Sequence, residues 1–135
     1  MKALFFCLLL MPLSLLAQNT ISVHINNVDS ASGQVNVAVY DSDDTFLSFE
    51  EVLKTGSAPA HEGQVTLKIE DLPIGEYALA VFHDKNGNGK LDTNWLGIPK
   101  EKVAFSKAKM KTFGPPRYRE CAFVVTSDYE ISIDL

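Results

Sequence analysis

The chain has 135 residues, 46% hydrophobic and 21% charged, with a formal net charge of −5 at pH 7. That length suits one domain with a core of its own, and the acidic balance disfavours nucleic acid as a partner. Two cysteines are too few for a disulfide-dense scaffold.

The first 17 residues read as a leader. Lys2 gives a short positive start, Ala3 to Leu16 is an apolar run broken by Pro12 and Ser14, and Ala17 offers a small residue before Gln18. This is the pattern of a secretory signal peptide (1–17), too short and wrongly flanked for a transmembrane helix. Cys7 lies inside the apolar run, so it does not read as a lipid-attachment site. The expected product is a single domain, 18–135, periplasmic or secreted, with no transmembrane segment. Losing Lys2 takes its formal charge from −5 to −6. One cysteine then remains, Cys121, in the apolar run Cys121 to Val125, where a buried structural thiol is expected. N-terminal sequencing of protein recovered from its native host is expected to begin near Gln18; a Met1 start would refute the leader.

Most of the remaining chain alternates with period two. Ile21, Val23 and Ile25 share one face of a strand over Thr20–Asn26, and Val35, Val37 and Val39 one face of Gln34–Tyr40. Asp43–Lys54 breaks the pattern, with Phe46, Leu47, Phe49, Val52 and Leu53 suiting a short helix or a packed crossover between sheets. Alternation resumes at Val65, Leu67 and Ile69 and at Tyr77, Leu79 and Val81. It closes the chain over Cys121–Thr126 and at Tyr129, Ile131, Ile133 and Leu135. Alternation with β-branched residues marks half-buried strands. Asp29 to Gly33, Gly63, Leu72 to Gly75 and Ser127-Asp128 supply turn chemistry between them. The expectation is an all-β, antiparallel β-sandwich of about seven strands, transthyretin-like or immunoglobulin-like. Asp84–Glu120 shows little strand or helix signal. Its Trp95, Leu96, Ile98, Val103, Phe105, Met110 and Phe113 predict one long ordered loop packed over an end of the sandwich and carrying the function.

The segment His83 to Asp92, His-Asp-Lys-Asn-Gly-Asn-Gly-Lys-Leu-Asp, carries the sharpest chemistry. Against the EF-hand loop, Asp84, Asn86 and Asn88 take positions 1, 3 and 5, Gly89 position 6, the Lys90 carbonyl position 7 and Asp92 position 9. These are the candidate metal ligands for a structural Ca²⁺, a hard cation that takes six to eight oxygens. Position 12, a bidentate Glu in the EF-hand, is Trp95. Further oxygens would come from water, Asn94, or the acids of a second loop, Asp41, Asp43 and Asp44. The competing reading is a long hairpin turn, because Asn-Gly twice tolerates positive φ and Asx side chains bond their own backbone.

His83 is expected to cap its strand and bond a loop carbonyl. His83, Ser106 and an Asp assemble a triad only on paper, and no nucleophile elbow, phosphate loop or His-Glu-x-x-His is present. Trp95 is the one tryptophan; it is expected as the anchor of the long loop, with a sugar platform as the alternative. Seven of the eleven basic residues left after Lys2 fall between Lys100 and Arg119, beside only Glu101 and Glu120. That segment reads as a solvated loop or as a contact surface for an anionic partner, lipid headgroup or glycan.

Leu72-Pro73-Ile74-Gly75-Glu76-Tyr77-Ala78, Val81-Phe82-His83-Asp84, Asn86 to Asp92, Leu96-Gly97-Ile98-Pro99-Lys100-Glu101, Phe105-Ser106 and Phe113-Gly114-Pro115-Pro116 together resemble the bacterial domain-of-unknown-function family catalogued under number 2141. The resemblance implies an exported single-domain protein and supplies no reaction. The chain departs from that pattern at Ala104 to Ala108 and at Arg117 to Glu120. The residues favour a binding or interaction module meeting a protein or glycan through the loop 84–119, with a small periplasmic hydrolase or chaperone-like protein acting in the cleft beneath that loop as the alternative.

Overall fold

Strands form where β-branched residues alternate with polar ones. In the computed structural model, which describes residues 18–135, they are β1 (Asn19–Val28), β2 (Gln34–Tyr40), β3 (Lys54–Pro59), β4 (Gly63–Leu72), β5 (Gly75–Asp84), β6 (Val103–Phe105), β7 (Phe123–Val125) and β8 (Tyr129–Asp134), with one helical turn, α1 (Tyr118–Cys121). The expected signal peptide, 1–17, lies outside the described residues. Three strands form one sheet in the order β4-β1-β8, and five form the other, β3-β2-β5-β6 with β7 also on β5.

The two sheets face each other across a core made by the alternating positions. Ile21, Val23 and Ile25 of β1 stand beside Ile69, Leu67 and Val65 of β4 in register. They pack with Val35, Val37 and Val39 of β2 and with Tyr77, Leu79 and Val81 of β5. Full burial of each such side chain contributes about 1.5–3 kcal/mol before entropy is counted. Asn27 and Asp71, both at positive φ, sit where the β1–β4 register slips; short polar side chains tolerate that conformation.

The fold is the expected all-β sandwich, with three differences. There are eight strands rather than about seven. The additional edge strand β3 lacks a hydrophobic alternation because its inward positions include Gly56, where a Cβ would stand 2.6 Å from the Ile69 Cδ1. Nor is the sandwich purely antiparallel: β8 returns to the free edge of β1 and runs parallel to it. A parallel pair needs a long crossover, which the whole intervening chain supplies. Third, Asp43–Lys54 is not a crossover between sheets: it joins the neighbouring antiparallel strands β2 and β3 of one sheet, with a 3-10 turn at Phe49–Glu51 and Phe46, Leu47 and Val52 packed on the outer face.

β5 is the structural centre. β2 covers one edge from Ala78 to Asp84, while β7 and then β6 divide the other. Both faces of β5 are buried from Tyr77 to Asp84. The inner face joins the core, and the outer face packs Ala78 and Ala80 with Tyr40, Phe105, Tyr118 and Cys121. Phe46 and Tyr118 meet edge to face, as do Tyr40 and Phe46. Cys121 is buried, and loss of solvation first of all pushes its thiol up to about 11. Leu79→Ala is expected to cost about 2–5 kcal/mol in urea unfolding, since Leu79 has no exposed surface and its loss leaves a cavity. Val124→Thr, on an exposed strand position, is expected to stay within about 0.5 kcal/mol.

Candidate functional site

The candidate loop begins where β5 ends. Asp84 has 0% exposure, and a carboxylate so placed must be met by donors. Its Oδ1 accepts the Asn88 amide at 3.2 Å, and its Oδ2 accepts the Gly89 amide at 2.7 Å and the Asn36 carboxamide at 3.4 Å. Asn86 Oδ1 accepts the Asn88 amide at 3.3 Å, and Asn88 Oδ1 accepts the Lys90 amide at 2.9 Å. Successive Asx side chains thus draw the backbone into a ring, helped by the positive φ of Gly87 and Gly89. Asp92 closes it, accepting the Asn86 carboxamide at 2.7 Å and the Asn88 carboxamide at 2.9 Å. Asp84, Asn86, Asn88 and Asp92 therefore do converge on one short loop, with Lys90 in its backbone.

The turn between β1 and β2 buttresses the loop from below. Gly33 lies so close that a Cβ there would stand 2.0 Å from the Asp84 carbonyl oxygen. His83 presents Nε2 to the Ser32 carbonyl at 2.8 Å, the expected bond to a loop carbonyl. The Asp29 carboxylate stands 3.2 Å from its Nδ1 but out of line for a hydrogen bond.

The sequence reading missed Glu101. It returns from beyond Trp95 to place Oε2 3.4 Å from the Asp92 amide. Burial raises the Glu101 pKa, the Asp92 amide opposes that rise, and the neighbouring Asp84 and Asp92 charges push it further up. Residues 93–100 separate Glu101 from the loop, so no fixed EF-hand spacing signals it. The acids proposed from the second loop do not reach. Tyr40 pairs with Ala78 whereas Gln34 pairs with Asp84, so Asp41, Asp43 and Asp44 follow the opposite end of β2, about 20 Å away. Asn94 spends its side-chain oxygen on the Leu96 and Ile98 amides. Among the described residues no three His, Cys, Asp or Glu side chains form a compact metal-holding group. The oxygens at this loop are mixed: carboxylate, carboxamide and backbone carbonyl.

The paper triad is not assembled. Ser106 donates to the Cys121 carbonyl at 2.7 Å and accepts the Leu79 amide at 2.9 Å. It is stitched to β5 four residues from His83, which is bound elsewhere.

The long segment is ordered as expected but does not pack as expected. Val103 and Phe105 form β6, and Tyr118 and Cys121 cover the outer face of β5. Trp95, expected as the anchor, is 90% exposed, and Phe113 is fully exposed. Each stands at the tip of a tight turn whose own backbone bonds hold it away from the sheet. Between the turns and the outer face of β2, β5 and β6 lies a groove of about 660 Å³. Tyr40, Phe82 and Phe105 form its floor, Leu91 of the 84–92 loop and Glu101 beyond it border one side, and Ile98 and Phe113 wall it. The Tyr40 hydroxyl is buried there without a hydrogen-bond partner. That volume lies in the range of small-molecule and peptide clefts.

The Asp92 carboxyl is held below its ordinary value, first by the Asn88 carboxamide and then by that of Asn86, with Lys100 and Lys90 adding smaller attraction. A depressed folded-state value contributes stability above the ordinary carboxylate pKa near 4 and loses it as pH falls through the lowered value. Asp92→Asn is therefore expected to melt lower than the parent at pH 7 but to lose less melting temperature between pH 5 and pH 2; parallel curves would remove Asp92 from the acid response.

Among the described residues no helix is long and apolar enough to cross a membrane. No curated protein matches the chain, and no solved structure does. The model of a bacterial family described as "Uncharacterized protein conserved in bacteria (DUF2141)" matches residues 23–133, from the middle of β1 to β8. With most of the described chain matched, the protein belongs to that family.

Proposed function

We propose that the protein is an exported interaction module whose 84–119 loop, ordered around a structural Ca²⁺, presents an apolar groove and its rim to a partner. The single observation that carries this reading is the continuity of loop and groove: Leu91, inside the ion loop, and Glu101, beside it, also border the cleft. Whatever orders the Asp84–Asp92 loop orders that wall. A fixed wall leaves little conformational entropy to lose on association.

The donor set suits a hard cation. Asp84, Asn86, Asn88 and Asp92 would offer side-chain oxygens and Lys90 its carbonyl, while Glu101 takes the place of the acid absent at Trp95. Each carboxamide oxygen that accepts one backbone amide keeps a second lone pair. Asp84, Asp92 and Glu101 form no compact group, yet the Asp84 and Asp92 charges reach Glu101, and a divalent cation would relieve that repulsion. The number of these carboxylates supports weak binding, on the order of 10⁻⁴–10⁻³ M, as in extracellular modules. The Ca²⁺ supplies charge and fixed geometry only. The groove lining supports a partner with apolar surface, and the exposed tips supply further contact area.

Calorimetric titration of metal-stripped protein with Ca²⁺ is expected to show saturable binding. Ca²⁺ at about a hundred times its dissociation constant is expected to stabilise the fold by roughly 2.7 kcal/mol. Asp84→Ala and Glu101→Gln are expected to weaken both. Absence of heat and of any melting shift up to millimolar Ca²⁺ would reduce the loop to a turn.

A further inference from the structure

We infer that the partner surface is an anionic lipid bilayer, entered by two rigid apolar tips with lysines at their bases. The inference rests on the reading of 84–119 as the contacting surface and names what it contacts.

The first tip is a turn closed by a bridge between Thr93 and Pro99. The Asn94 amide donates to the Ile98 carbonyl and the Gly97 amide to the Asn94 carbonyl, both at 2.9 Å. Asn94 Oδ1 accepts the Leu96 and Ile98 amides at 2.9 and 3.0 Å. The second tip is bridged between Lys111 and Gly114, whose backbones bond each other at 2.9 and 3.4 Å, leaving Thr112-Phe113 outermost. Trp95, Leu96, Ile98, Met110 and Phe113 are all exposed. Ile98 and Phe113 wall one groove, so the tips leave the same side of the molecule.

Three features select a bilayer. First, backbone groups carried into an apolar medium must be satisfied internally. These tips bond several of their amides and carbonyls to themselves, so their side chains can enter the interfacial region at small polar cost. Second, tryptophan is the side chain best suited to that region, apolar in body with one polar N–H. Third, the charge is local and opposite to that of the whole. On a chain of net charge −5, Lys100 follows the first tip, and Lys109 and Lys111 lead into the second. Lys111 shares its charge with Glu120 at 2.6 Å and Lys100 also attracts Asp92, so Lys109 is the least compensated of the three. A sugar platform wants polar groups ringed around the indole. Here the Asn94 oxygen is occupied, and the neighbours Leu96 and Ile98 are apolar.

Trp95 is the only tryptophan and reports directly on the first tip. Protein purified from its native host, loaded with Ca²⁺, is mixed with vesicles of phosphatidylglycerol and phosphatidylcholine or of phosphatidylcholine alone. Trp95 emission is expected to shift to the blue, and the protein to sediment, only with the anionic vesicles. Neutralising Lys100 or Lys109 to Gln is expected to cut partitioning about fivefold each, the equivalent of ~1 kcal/mol per basic residue. Trp95→Ser with Phe113→Ser, read by sedimentation, is expected to abolish it. These exposed sites leave the fold intact, checked by an unchanged melting curve. Equal binding to both vesicles, or binding that survives the double tip variant, would overturn the inference. So would absence of binding by protein with a normal Ca²⁺-dependent melting shift. That last outcome would leave the module reading standing, with a protein or glycan in place of the bilayer, whereas loss of the Ca²⁺ shift itself would count against the module.

Discussion

Strand β5 is buried on both faces from Tyr77 to Asp84, and that double burial sets the demands the rest of the chain meets. An inner face of Tyr77, Leu79 and Val81 needs the opposing sheet. An outer face of Ala78, Ala80 and Phe82 needs a second layer, drawn from the β2–β3 connection and from the segment after β6. Small residues at two of those outer positions let Tyr40, Phe105 and Tyr118 approach closely. The long loop is thus part of the packing rather than an appendage. Where its cover is incomplete, the sheet itself becomes the floor of a groove.

The same strand delivers Asp84 to the edge of the core. A carboxylate buried there is costly unless its oxygens are met, and the loop that follows meets them with its own amides. Burial of Asp84 therefore shapes the Asn86–Asp92 ring before any ion is considered, and the Gly33 turn holds it from below. The Asx bonds that make the turn also bring its side-chain oxygens to one short loop. Glu101 extends that gathering to the far side of the first exposed tip and joins ring to groove wall.

Alternation and turn residues made most of this fold legible from the sequence. β1, β2, β4, β5 and β8 announced themselves because large apolar residues recur at every second position of each, and period two marks a strand. β3 stayed hidden because Gly56 and Ala58 pack without presenting a hydrophobic stripe. β6 stayed hidden because three residues carry no period. In the site, Asp84 to Asp92 was readable because its donors are neighbours in the chain, spaced two apart. Local spacing survives folding unchanged, so the sequence by itself determined the sandwich class, the ring of oxygens and the basic bias of 100–119.

Tertiary structure alone decided everything that depends on which ends meet. Pairing of Gln34 with Asp84 sent Asp41, Asp43 and Asp44 to the far end and left Glu101 as the nearby acid. It tied Ser106 to Leu79 and Cys121, away from the His83 ring. It also turned Trp95 and Phe113 outward, because the backbone bonds of two tight turns outweigh the pull of the core on a single aromatic ring at a tip. Hydrophobicity tells that a residue gains by burial; only the closed chain tells whether a surface is within reach to bury it. Here the two turns hold their tips out, and the result is a set of exposed apolar side chains beside a cleft.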